Sequence, residues 1–288
     1  MTSKHPFGCC HGSRARKAIW MDLCIVSGGD RLRLRTPVNH KIYASLHDLD
    51  YRLETGPFEG LHNPYFFKLR AVLSVLDRYD WVVWLDDDAF VTDFTRDTFR
   101  TLAAAAETDD RHLVVADGRV RPDGPWTVIN TGVFLARRSP AARRLLERAL
   151  GADLREVRAW WNPAIHGYFT DGDQDAVLWA MQDGGMQDGV RIVGHEVMNS
   201  RTHHYGDDPH DRFVCHFPGV PDKEHAVRRF GARFGRDDTL TPPELLERFG
   251  VRTPARPSLA SHASRRVRRT VADLARSPRA ATRSGGVT

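Results

Sequence analysis

Residues 81–91 read WVVWLDDDAFV, and no other stretch narrows the fold so much. Five consecutive apolar residues do not suit a strand with one wet face, which would alternate. They suit a strand covered on both sides, as in the sheet of an α/β domain. The run then meets three aspartates. Two carboxylates about 5 Å apart repel by roughly 3 kcal/mol at an effective dielectric of 20, so three need cationic compensation. Hard divalent cations take oxygen ligands, often one or two carboxylates together with substrate phosphates. Asp86 and Asp88, two apart on a turning backbone, can reach one ion while Asp87 points elsewhere. The competing reading is a strand end and turn cap, which aspartate makes well; the triplet alone leaves both open. An EF-hand loop is excluded, because Phe90 and Val91 stand where the next oxygen ligand and glycine belong.

Around this segment, strand and helix signals alternate. Residues 21–27, MDLCIVS, form a short apolar run that breaks at Gly28 and Gly29. Asn63 and Pro64 open a helix over PYFFKLRAVLSVLDRY. An Ala-rich helix is expected over 95–107 and a strand over 112–116. A strand over 126–136 is expected to break at Asn130, Thr131 and Gly132, and Ser139 and Pro140 cap a helix that Gly151 ends. Residues 160–173 read as loop, followed by a helix over 174–182, short strands at 190–193 and 213–217, and a capped last helix after Thr241. This alternation predicts one α/β domain with a mostly parallel sheet. In such sheets ligands sit beyond the carboxyl ends of strands, where Asp86, Asp87 and Asp88 lie.

Charge and cysteine usage restrict the setting. The formal charge of +5 is concentrated in the tail, where nine arginines from Arg252 to Arg283 face one acid, Asp273. The preceding body is mildly acidic. We therefore expect a flexible basic segment at 1–18, a folded domain at 19–250, and an Arg-rich, disordered tail at 251–288. The tail could make weak contact with an anionic membrane surface, with a short helix around 264–275; no nucleic-acid partner is expected. No apolar run approaches the roughly 18 residues of a spanning helix, and the first residues lack the apolar middle of a signal peptide. Four cysteines without a CxxC pair fit a reducing compartment, so the expectation is a cytoplasmic protein. Cys9, Cys10 and His11 together could bind a metal, although such a cluster at a chain end is more often without function.

NHKIYASLHDLDY, NPYFFKLRAVLSVLDRYDWVVWLDDDAFV, NTGVFLARRS, GDQDAV and DRFVCHFPG occur in this order. Together they resemble the glycosyltransferase family of galactomannan galactosyltransferases, yeast α-mannosyltransferases and xyloglucan xylosyltransferases (family 34-like), over roughly residues 21–230. That resemblance implies a GT-A type nucleotide-sugar transferase fold, dependence on manganese (or magnesium), and transfer with retention of anomeric configuration. It also implies roles for particular residues. Asp86 and Asp88 match the family's DxD motif and His216 its C-terminal metal-binding histidine. Gly219 and Lys223 would lie beside the donor diphosphate, and Asn130 at the sugar pocket. Asp173 and Gln174 match an acidic-Gln pair near the reacting carbon. The second acid that often precedes this pair is Gly172 here.

The chemistry agrees with that assignment. A metal bridging the phosphates acts as a Lewis acid for the leaving nucleoside diphosphate, and a carboxylate opposite can stabilise or attack an oxocarbenium-like carbon. Asp173 is the candidate, with an ordinary helix cap as its alternative. Ser27, His47, Asp48 and Tyr51 could flank the nucleotide base, and Asp87 could touch the donor sugar. Lys68 and Arg70 occupy positions that could face phosphate or solvent. Trp160 and Trp161 could stack on a sugar or pack locally; His203, His204, Asp207 and Asp208 could form a second metal cluster. The expected partners are a nucleotide-sugar donor, with UDP-sugars favoured, and an acceptor that could be a glycan, lipid, peptide or small metabolite. Two alternatives remain: a sugar nucleotidyltransferase of related fold, and a non-catalytic, basic-tailed adaptor that binds polyanions or a membrane surface.

Overall fold

The computed structural model describes residues 21–57, 59–118 and 126–252. The clustered Cys9, Cys10 and His11 and the tail beyond Arg252 lie outside the described residues. By internal contacts the chain divides into a unit up to Leu245 and a second from Leu246 onward. All the strands belong to the first unit.

Its centre is a six-stranded sheet in the order β2-β1-β3-β6-β5-β7, built from β1 (Leu23–Gly28), β2 (Asp50–Glu54), β3 (Trp81–Asp86), β5 (Leu113–Asp117), β6 (Ile129–Arg137) and β7 (Val190–Val193). Pairings of β1 with β2 and β3, and of β5 with β7, are parallel; β6 alone runs against its neighbours β3 and β5. β3 is thus an interior strand. Its residues from Trp81 to Leu85 are all buried, and only Asp86 reaches partial exposure, as the doubly apolar run requires. At the far end of β1, a side chain on Gly28 would lie 1.8 Å from the Glu54 carbonyl oxygen, so only glycine lets β1 and β2 stay paired there.

Helices cover the sheet. α1 (Thr36–Leu46) follows β1, α2 (Phe67–Val75) precedes β3, and α3 (Thr98–Thr108) precedes β5. α4 (Pro140–Leu150), α5 (Leu154–Trp160), α6 (Pro163–His166) and α7 (Asp173–Gln182) form a run between β6 and β7. α2 opens with a 3-10 turn at Pro64–Phe66, capped by the Asn63 side chain accepting from the Tyr65 N–H. Ser139 caps α4 as its sequence predicts. The expected loop at 160–173 instead holds the end of α5 and the short α6, each started by a cap from Asp153 or Asn162. The closing short helix forms at Pro243–Arg248.

A second, two-stranded ribbon pairs β4 (Ala89–Val91) with β8 (Val214–His216), setting Ala89 opposite His216. α8 (His195–Met198) precedes β8 and α9 (Lys223–Arg233) follows it. The stretch expected to break at Asn130, Thr131 and Gly132 lies within one strand, β6, whose pairing with β3 runs from Val133 to Arg137. On its other edge the register slips: Val115 pairs with Phe134, but Ala116 pairs with Asn130. The three residues between are a bulge, a device that re-aims side chains.

Candidate functional site

The three aspartates sit where the central sheet hands the chain to the ribbon. Asp86 ends β3, and Asp87 and Asp88 make the turn into β4. Thr36 fixes that turn by donating to the Asp87 carbonyl at 2.9 Å. The Phe217 N–H donates to the Asp88 carbonyl at 3.0 Å and locks β8 to the same turn. This pairing delivers His216 to the aspartates. Its Nε2 lies 3.0 Å from Asp88 and 3.7 Å from Asp86, and ligand atoms of the three residues all fall within 4.8 Å of one another. Two carboxylate oxygens and an imidazole nitrogen are an ordinary donor set for manganese or another divalent ion, so the residues fit a metal. Among the described residues this is the one such grouping of three or more; His203, His204, Asp207 and Asp208 form no second one.

The cationic compensation that the triplet demands is present. Lys68 from α2 lies 2.8 Å from Asp86, and Lys223 at the start of α9 pairs with Asp88. The Trp84 indole donates to Asp86 at 2.7 Å and fixes its carboxylate. Burial works to raise the Asp88 carboxyl, but His216 and Lys223 hold it well below the usual range. Asp87, between the other two, is pushed up to about 6 by burial and then by the neighbouring charges of Asp88 and Asp86.

A cleft of about 390 Å³ opens over these residues, lined also by Gly28, Gly29, Arg33, Tyr65, Gly219 and Lys223. Gly219 has φ +67°, a backbone that favours glycine, in the turn between β8 and α9.

Behind the cleft, Asn130 at the edge of the β6 bulge and Thr131 and Gly132 within it face three different targets. Asn130 donates to Gln174 at 3.4 Å and Thr131 to Asp173 at 2.6 Å. Gly132 faces His216, and a side chain there would lie 2.1 Å from the imidazole Cε1. Asp173 is buried and does not line the cleft. Its carboxylate engages Thr131 and, at 3.4 Å, Lys68. The backward-reaching cap at the start of α7 comes from Asp175, whose Oδ2 accepts from the Thr170 and Gly172 N–H groups. Burial raises the Asp173 carboxyl, and Lys68 opposes that rise. Burial would lower the Lys68 ammonium, yet Asp173 and Asp86 leave it raised above its ordinary value.

Other sequence expectations separate here. Lys68 lines the cleft, but it is only 6% exposed and its ammonium bridges Asp86 and Asp173. Arg70, two residues on and turned away from Lys68 around the helix, donates to the Glu59 carbonyl at 2.8 Å. Ser27 and Tyr51 bond to each other at 2.8 Å, and His47 bonds to the Phe94 carbonyl at 3.1 Å beyond the end of α1. None of Ser27, His47 and Tyr51 lines the cleft; their side-chain polar atoms are engaged by one another or by the Phe94 carbonyl. Trp160 stacks on His166 with centroids 4.1 Å apart, and Trp161 donates to the Gly167 carbonyl, both against the core. Local packing accounts for them.

Four contributors carry no sequence signal of their own: the Trp84 indole, Arg33, Tyr65 and Asn199. Asn199 accepts from His216 Nδ1 at 2.8 Å and donates to Asn130 at 2.7 Å.

Comparison with known proteins gives a consistent result. No family model matches the chain. Galactomannan galactosyltransferase 1 from Cyamopsis tetragonoloba is 30% identical over 139 residues, 46% of this chain and 31% of that protein. Glycosyltransferase 6 from Arabidopsis thaliana is 25% identical over 167 residues, 53% of this chain and 37% of that protein. The chain thus spans about a third of the length of these relatives. Among solved structures, a glycosyltransferase involved in glycosylating the major capsid of PBCV-1 superposes with a TM-score of 0.56. That match has 18% identity and covers 71% of this chain and 98% of that one. The resemblance carried by the motifs holds, and the fold is a GT-A type α/β domain.

Proposed function

We propose that this chain is a metal-dependent, retaining glycosyltransferase that moves a hexose or pentose from a nucleotide-sugar, preferably a UDP-sugar, to an acceptor hydroxyl. The observation that carries the reading is the convergence of Asp86, Asp88 and His216 on one point at the floor of a cleft. Its similarity to curated glycosyltransferases supports the reaction class.

Asp86, Asp88 and His216 would hold manganese or magnesium, which supplies Lewis-acid stabilisation of the leaving diphosphate when bound. The chain's own residues do the rest. Lys223 stands at the cleft wall against Asp88, where its charge can pass to a phosphate oxygen. Gly219 leaves the backbone open beside it. Asp87 and Arg33, facing the same cleft, suit contact with the donor's sugar and hydroxyl groups. Asp173 and Gln174 lie behind the bulge of β6, oriented by Thr131 and Asn130. Burial raises the Asp173 carboxyl and Lys68 opposes that rise; Thr131 and Lys68 hold it just behind the cleft lining, from where a carboxylate would have to reach an oxocarbenium-like carbon.

The test is hydrolysis of a panel of UDP- and GDP-sugars with manganese or with EDTA. Metal-dependent turnover of one donor supports the reading. If no donor is turned over and none shifts the melting temperature with metal present, the transferase reading is lost. Pyrophosphate release from a sugar phosphate and a nucleoside triphosphate would favour a nucleotidyltransferase instead.

A further inference from the structure

Asn199 lies in the stretch before β8, a segment that none of the sequence motifs touches. It joins the metal-ligand cluster to the residues behind the cleft. Its side-chain oxygen accepts from two groups, His216 Nδ1 at 2.8 Å and Arg201 Nη1 at 3.0 Å. Its amide nitrogen donates to Asn130 Oδ1 at 2.7 Å, and Asn130 in turn reaches Gln174.

We infer that Asn199 is a positioning residue that fixes both the ring orientation and the proton of His216, leaving Nε2 with its lone pair directed at the point shared with Asp86 and Asp88. This rests on the metal-site reading above.

Hydrogen-bond chemistry sets the orientation of the amide. A guanidinium has five donors and no acceptor, so the Asn199 atom facing Arg201 must be the oxygen. An amide turned the other way would set N–H against N–H at Arg201. It would also set oxygen against oxygen at Asn130, whose Oδ1 already accepts from the Gly132 N–H at 3.0 Å. With the oxygen fixed, the only bond available to His216 Nδ1 is as donor. A proton on Nδ1 leaves Nε2 as the nitrogen able to coordinate.

The same contact excludes the flipped ring. Turning the imidazole by half a turn would put a carbon where Nδ1 meets Asn199 and another where Nε2 meets Asp88. The absent side chain of Gly132 gives the ring room on its Cε1 edge, but room alone does not choose between the two orientations. Asn199 does.

The experiment compares the full chain with Asn199→Leu and Asn199→Asp. Manganese affinity is read by the free-ion EPR signal, and the imidazole nitrogens by 15N NMR of the metal-free protein. In the parent chain Nδ1 of His216 should be protonated. Asn199→Leu should lose that signature and weaken manganese binding about 10- to 100-fold, the range for outer-shell partners of metal ligands. Asn199→Asp keeps an acceptor for both His216 and Arg201 while losing the donor to Asn130. It should retain manganese affinity within a few-fold of the parent. A proton found on Nε2 with Nδ1 bare in the parent chain would overturn the inference. So would equal manganese affinity in Asn199→Leu at an unchanged melting temperature. If the leucine variant does not fold, the NMR of the parent and the affinity of the aspartate variant still decide. Failure of the parent chain to bind manganese would instead sink the metal-site reading, and leave the Nδ1 proton as the separate test of Asn199.

Discussion

Asp86 and Asp173 share one counter-ion: the Lys68 ammonium lies 2.8 Å from the first and 3.4 Å from the second. A carboxylate of the candidate metal-ligand cluster and the candidate catalytic carboxylate are therefore linked through a single buried charge. Removing one partner of a buried ionic group typically costs about 3–5 kcal/mol. Lys68→Met should fall near the lower end, about 3 kcal/mol by urea unfolding, because Asp86 keeps partial solvent access. Manganese should then raise the melting temperature of the variant more than that of the parent, since it restores positive charge at Asp86. A loss below about 0.5 kcal/mol, the usual size for surface positions, would mean that Lys68 is solvated.

Gly132→Ala should be felt first at His216. The added methyl would meet the imidazole at 2.1 Å, so the ring or β6 must move. Overpacking of this kind costs about 1–3 kcal/mol. The expected result is a lowered melting temperature with manganese affinity down at least tenfold. Unaltered affinity would show that the ring has space to retreat without leaving the ligand cluster.

Asp88→Asn and His216→Ala should each abolish metal-dependent donor binding, measured by calorimetry with a UDP-sugar in the presence of manganese. Both variants should remain folded by circular dichroism. Unchanged binding in both would remove the metal site from consideration.

Asp175 offers a pH test away from the metal ligands. Burial pushes its carboxyl from 3.8 up to about 6, so the folded state holds the proton more tightly than the unfolded chain does. The stabilisation linked to that proton is full below about pH 4 and is lost as pH rises through 6, up to about 3 kcal/mol in all. Asp175→Asn keeps an acceptor for the Thr170 and Gly172 N–H groups and cannot titrate. The difference in unfolding free energy between parent and variant should therefore drift in favour of the variant between pH 4.5 and 7. A constant difference would show an ordinary carboxyl at this position.

The elements with strong local signals were legible in the sequence. WVVWL had to be an interior strand, Ser139 had to cap α4, and Asp86, Asp88 and His216 are brought together as the motifs implied. Bond partners set by tertiary structure were not legible. The sequence leaves Lys68 facing either phosphate or solvent, and its bridge between the Asp86 and Asp173 carboxylates depends on tertiary packing. Asn130, Thr131 and Gly132 read as an interruption, because a bulge on one edge of a strand looks like a break when only propensity is available. Asn199 has no local pattern at all. Its partners come from β6, β8 and the segment between α8 and β8, and no periodicity encodes such a meeting.

The pairing of β4 with β8 also sets an order of events. Ala89 and His216 adjoin only after everything between them has been synthesised and closed into a loop, and contacts of such separation form late because loop closure must come first. A nascent chain that has completed β3 already carries its aspartates but has no histidine to set beside them. A divalent ion held by all three side chains would therefore report that β4 and β8 have paired, which a chain that has completed only β3 has not yet done.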